Sequence, residues 1–164
     1  MTSFWWNRGA CAADGQSPIE AVIFSLDGVI DDPRHDADVF AEAVWALRCD
    51  GIRVAIVTER GWLRIHRSVR DLLGDGAVEV LVTGDEVDTP KPDPQVYRVA
   101  LKDLGLRPEA VVAVEDSAEG LRAARAAGLA TVVVTTERTC DDDFTGALAT
   151  LPGYAGLLSA RLTA

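Results

Sequence analysis

Lysine is scarce in this chain. Lys91 and Lys102 are its only two among 16 basic residues, set against 26 acidic ones. The net charge of −10 argues against nonspecific nucleic-acid binding, which rests on neutralising phosphates. It fits a small-molecule or protein partner instead. Cysteine is also rare. Cys11, Cys49 and Cys140 are odd in number and far apart, so they offer no disulfide framework and no metal-ligand spacing. That usage suits a reducing cytoplasm, with Cys49 reading as a small buried hydrophobe. No apolar run reaches the ~18 residues of a membrane-spanning helix, so no membrane span is expected. Residues 1–18 carry no apolar core of signal-peptide length.

What is present is an ordinary globular composition, 48% hydrophobic over 164 residues, enough for one domain with a sizeable core. Residues 1–18 read as a tail, with Phe4-Trp5-Trp6 ahead of a small and polar run. The folded domain is expected over 19–164. Within it apolar β-rich runs at 21–24, 53–57, 78–82, 111–114 and 131–134 alternate with helical patterns at 37–47, 63–73, 94–104 and 118–127. In the first helix Val39, Phe40, Ala43, Val44 and Leu47 form one stripe at spacings of three and four. Gly51, Gly74, Gly105 and Gly128 stand where helices should close. Beyond Asp141 the pattern is broken by Pro152 and Gly153, with room for one short helix after them. The expectation is an α/β fold: a five-stranded parallel sheet with helices on both faces and its site at the carboxyl ends of the strands.

Four of those strand ends carry chemistry. The first reads Ser25-Leu26-Asp27-Gly28 after a buried apolar run. An Asp-Gly pair alone is commonly a turn, and Gly28 would permit a sharp one. The second run ends in Thr58, a residue that also serves as a cap. After the third comes Lys91-Pro92-Asp93-Pro94, opening a helix. A lysine there would offset the repulsion between a carboxylate and a phosphate. The fourth ends in Glu115-Asp116-Ser117. Paired acids at the end of an apolar strand are costly unless they meet a cation or a basic group, and hard magnesium takes such oxygens. Asp116 or Ser117 could equally cap the next helix.

Together these motifs, in this order over roughly residues 19–135, resemble the haloacid dehalogenase (HAD) superfamily, most closely its phosphoglucomutase- and CbbY-like branch. The resemblance implies a Rossmann-like fold and magnesium-dependent phosphoryl transfer. It implies Asp27 as general acid/base, Thr58 and Lys91 as phosphate-binding residues, and Asp116 with Glu115 as the metal site. Two departures qualify this. Where the family has its nucleophilic, metal-ligating aspartate, this chain has Ser25, which leaves magnesium weakened or lost and turnover impaired. Only 30 residues lie between Asp27 and Thr58. A crossover takes at least about 10–12 residues, so no cap domain fits and the site should be open.

The expected function is that of a HAD-fold protein binding phosphate, a phosphorylated small molecule or a protein partner. An active phosphohydrolase on an open-site substrate and a scaffold component are the competing readings. Arg60, Arg64 and Arg67 are read as one helical face beside the site, with Trp62, His66 and Arg70 nearby, either solvated or forming an anion-binding rim.

Overall fold

The computed structural model describes residues 18–31 and 33–159; the expected tail, apart from Pro18, lies outside the described residues. The strands are β1 (Ala21–Ser25), β2 (Arg53–Val57), β3 (Val80–Val82), β4 (Val111–Glu115), β5 (Ala130–Thr135) and β6 (Ala149–Pro152). They form one sheet in the order β3-β2-β1-β4-β5-β6, and every neighbouring pair is parallel. The helices are α1 (Asp27–Asp31), α2 (Pro33–Cys49), α3 (Trp62–Leu73), α4 (Gln95–Leu104), α5 (Ala118–Ala126) and α6 (Ala155–Ser159).

Alternate residues of the central strands feed two cores. Val22, Phe24, Val54, Ile56, Val112, Val114, Val132 and Val134 face α2, α3 and α6. Ala21, Ile23, Ala55, Val57, Val111 and Ala113 face α4 and α5. Strands covered on both sides can be apolar throughout, which is why these runs were legible as strands. On the first face Phe40 joins the sheet to α6. Its ring meets Phe24 edge-on at 5.2 Å and Tyr154 edge-on at 5.3 Å, a geometry the aromatic quadrupole favours. The glycines read as helix stops, Gly51, Gly74, Gly105 and Gly128, all have positive φ, which costs a residue without Cβ little.

Three expectations are corrected. The sheet has six strands, not five. β6 was missed because Pro152 reads as a breaker, but β6 pairs only with β5, and an edge strand tolerates proline. Cys49 is exposed, since it ends α2 beyond the last core position, Leu47. Arg60 does not share a helical face with Arg64 and Arg67, because α3 starts at Trp62 with Gly61 as its N-cap.

Between β1 and β2 the chain holds α1 and α2 and no further element, so no cap domain interrupts the crossover. No helix among the described residues is long and apolar enough to cross a membrane. Sheet order reverses between β1 and β4, and their carboxyl ends open a crevice of the kind that binds ligands in such folds.

Candidate functional site

The crevice is a cleft of about 470 Å³. Ser25, Asp27, Gly28, Lys91 and Asp116 line its floor, and residues 135–139 with Gly153 and Tyr154 form a wall. Four separate strand ends therefore converge, as their motifs implied. Ser25 is the last residue of β1 and is buried. Lys91 lies in the segment between β3 and α4, and its Nζ donates to Ser25 Oγ at 2.8 Å and to Glu115 Oε1 at 2.7 Å. The same ammonium lies 4.0 Å from Asp27 Oδ2. Burial alone would lower the Lys91 pKa. The charge of Glu115 and its hydrogen bond, with Asp27 and Asp116 behind, outweigh burial and raise it, so the group stays an ammonium.

Asp27 is held from the β2 side. Thr58 Oγ1 donates to its Oδ1 at 2.5 Å, and the Glu59 amide donates to its Oδ2 at 3.2 Å. Thr58 is fully buried, and its hydroxyl serves Asp27 rather than lining the cleft. Arg60 Nε stands 3.9 Å from Asp27 Oδ1.

Glu115 ends β4 with no exposed surface. It accepts from Lys91 Nζ and from the Tyr97 hydroxyl on one oxygen, and from the Asp116 amide at 3.2 Å on the other. Burial and the nearby Glu115 charge push the Tyr97 phenol well above its ordinary pKa, so it remains a donor. Asp116 is almost fully enclosed and makes no ion pair among the described residues. Burial first, then the charge of Glu115, push its carboxyl up to about 7 against a partial opposing pull from Lys91.

Gly28 is explained by this packing. A methyl built there would lie 1.4 Å from Asp116 Oδ2, so the carboxylate just after β4 rests on the backbone of α1. The reason for this glycine is close approach, not the turn freedom read from Asp-Gly. Ser117 caps α5, accepting from the Gly120 amide at 3.1 Å.

Sequence reading missed Tyr97, Glu59 and the wall formed by Thr135, Thr136, Glu137, Arg138 and Thr139. Tyr97 follows Lys91 by six residues, and its apolar body sits in the helical stripe of α4, which hides its polar role. Glu59 Oε1 accepts from the Lys91 amide at 2.8 Å, a contact across 32 positions that no local pattern marks. The arginine rim is not assembled as expected. Only Arg60 approaches the site, while Trp62 stacks on His66 at 5.5 Å on the outer surface of α3.

For a metal, the donor chemistry is thin. Ser25 is neutral and already accepts a hydrogen bond from the Lys91 ammonium. Asp27 and Glu115 are bonded as described. Among the described residues no group of three acidic, histidine or cysteine side chains is arranged to hold an ion. Of Asp27, Glu115 and Asp116, only Asp116 keeps its carboxylate clear of a neighbouring donor side chain. Magnesium is commonly held by one or two carboxylates together with substrate phosphates. By themselves the residues do not fit a resident magnesium ion.

Comparison with known proteins follows the same motifs. A family model for haloacid dehalogenase-like hydrolases matches residues 2–128. The chain is 40% identical over 134 residues to protein CbbY of Cereibacter sphaeroides, covering 78% of this chain and 56% of that protein. It is 35% identical over 88 residues to the phosphorylated carbohydrates phosphatase of Thermotoga maritima, covering 54% of this chain and 41% of that protein. The chain thus spans about half the length of these curated relatives. Among solved structures, CbbY from Rhodobacter sphaeroides in complex with phosphate superposes with a TM-score of 0.73 at 24% identity, covering 85% of this chain and 96% of that one. That likeness speaks to the fold.

Proposed function

The chain belongs to the haloacid dehalogenase-like hydrolase family, on its CbbY branch, and from that premise we propose that it binds a phosphate ester without turning it over. The observation that carries this is the contact between Ser25 and Lys91. A serine hydroxyl attacks only when a base takes its proton. The group 2.8 Å from Ser25 Oγ is an ammonium, which donates and cannot accept. Asp27, two residues on at the start of α1, is occupied by Thr58 and Glu59. His66 sits on the outer surface of α3, bonded to the Trp62 carbonyl. Losing a covalent nucleophile costs on the order of 10⁶ in turnover where the reaction depends on it.

Binding is another matter. Replacing an anion by Ser25 removes one repulsion against an incoming phosphate, and Lys91 remains to receive it. The paired hydroxyls of Thr136 and Thr139 on the wall, 3.1 Å apart, suit a polyhydroxylated body that would extend that pair. The ligand class that fits is a phosphorylated small molecule, in line with the carbohydrate phosphates of the Thermotoga maritima relative. Magnesium, where it enters, would come with the phosphate at Asp116 and would supply charge neutralisation. The free cysteines Cys49 and Cys140 are compatible with a reducing compartment, and we place the protein in the cytoplasm on that basis.

The test is hydrolysis of p-nitrophenyl phosphate with magnesium, by the chain as given and by Ser25→Asp, alongside calorimetric titration of the parent with inorganic phosphate. Phosphate binding by the parent, with hydrolysis only in Ser25→Asp, is the expected result. Hydrolysis by the parent that survives Ser25→Ala and repurification sinks the non-catalytic reading. Absence of phosphate binding sinks the binding half.

A further inference from the structure

We propose that Tyr97 is a positioning residue for Lys91: its hydroxyl fixes the carboxylate that aims the ammonium into the cleft. Tyr97 has no exposed surface. Its hydroxyl donates to Glu115 Oε1, the same oxygen that receives Lys91 Nζ at 2.7 Å. The ammonium also lies 5.7 Å from the centre of the Tyr97 ring, within reach of its negative face. A lysine side chain carries several free torsions, so holding its tip requires contacts from more than one direction. Glu115 and the Tyr97 ring supply them on the side away from the cleft, and Ser25 lies on the side toward it.

Glu115 needs an anchor in its turn. Its other oxygen meets the Asp116 amide and packs against Gly120, where a methyl would stand 2.0 Å from Oε2. That contact closes the α5 side. The Tyr97 hydroxyl closes the α4 side. A phenol in this place is informative because a phenylalanine would fill the same space without a buried O–H to satisfy. Placement follows from the chain: Pro94 caps α4, so Lys91 lies just before the helix and Tyr97 falls in its first turn.

The lysine content makes a direct test simple. With the chain labelled at lysine nitrogen, only Lys91 and Lys102 give side-chain ammonium signals, and Lys102→Arg assigns them. The expected result is a Lys91 resonance in the parent, sheltered from proton exchange by its hydrogen bonds. In Tyr97→Phe it broadens or shifts, and the dissociation constant for inorganic phosphate rises at least about fivefold, the scale of one lost hydrogen bond. A purely structural role would lower the melting temperature and leave both readouts in place, and that outcome overturns the proposal.

The phosphate arm rests on the proposed function, but the resonance arm does not. A parent that binds no phosphate overturns that function, and the Lys91 signal still decides the role of Tyr97. Should Tyr97→Phe fail to fold, both readouts are compared on the Tyr154→Phe chain with and without 3-fluorotyrosine, which then labels Tyr97 alone, keeps its hydroxyl and strengthens it as a donor. A moved Lys91 resonance then supports the proposal, and an unmoved one overturns it.

Discussion

Lys91 Nζ and Glu115 Oε1 stand 2.7 Å apart between side chains that are 6% and 0% exposed. One comes from the loop before α4 and the other from the end of β4. Breaking such a buried pair leaves an uncompensated charge and costs about 3–5 kcal/mol. Lys91→Met is therefore expected to lose that much stability in urea denaturation. Lys102→Met, away from this pair, should change stability by no more than about 0.5 kcal/mol. Equal, small effects of both substitutions would show that the pair is not held as described.

Gly28→Ala tests the approach of Asp116 to α1. In an exposed helix, alanine for glycine stabilises by about 1 kcal/mol. Here the added methyl meets a carboxylate oxygen at 1.4 Å, and overpacking costs about 1–3 kcal/mol. The expected sign is destabilisation, with phosphate binding weakened because Asp116 must move. A stabilised variant with unchanged binding would contradict this packing.

Asp116 should make stability depend on pH in an unusual direction. Its carboxyl rises from an ordinary 3.8 to about 7 in the folded state. Below about pH 4 both states hold the proton and there is no penalty. Between about pH 4 and 7 the unfolded chain releases it while the folded chain retains it, so folding loses about 1.4 kcal/mol per pH unit. Asp116→Asn removes that slope. With chelator present, the stability of Asp116→Asn relative to the parent should improve by roughly 2–3 kcal/mol between pH 5 and pH 8. Parallel pH profiles for the two proteins would show that the carboxyl titrates normally.

Magnesium affinity should be limited by Ser25. Ser25→Asp adds an anionic ligand beside Asp116, and the expected gain is at least about tenfold, since even outer-shell changes move metal affinity by 10–100-fold. Asp116→Asn should abolish any binding measurable in the parent. Manganese relaxation measurements on the three proteins read this without any substrate. A parent that binds manganese as tightly as Ser25→Asp would show that the donor set is more complete than Asp116 alone.

The alternation of apolar runs and helical stripes was enough for a parallel sheet, because strands buried on both faces leave a continuous apolar signature. The glycine stops were legible for a local reason: only the residue at the helix end has to adopt positive φ. The positions of Ser25 and Asp27, of Thr58, and of Glu115 and Asp116 were legible too, since they follow three of the apolar runs directly, and Lys91 follows β3 in the segment before α4. β6 was not, because the cue of an edge strand is half-buried and Pro152 obscures it.

What only the tertiary structure decided is who pairs with whom. Thr58 could have faced the cleft, yet it is turned to Asp27. Glu115 and Asp116 are adjacent acids of equal promise in the sequence, but one is paired with Lys91 and hydrogen-bonded by Tyr97 while the other has its pKa raised and pairs with no described cation. Gly28 looked like a turn and proved to be a space for Asp116. Each of these outcomes depends on groups 18 or more positions apart meeting within hydrogen-bond or contact distance. Local periodicity carries no record of such meetings; they are set when the strands take their order and the helices close over them.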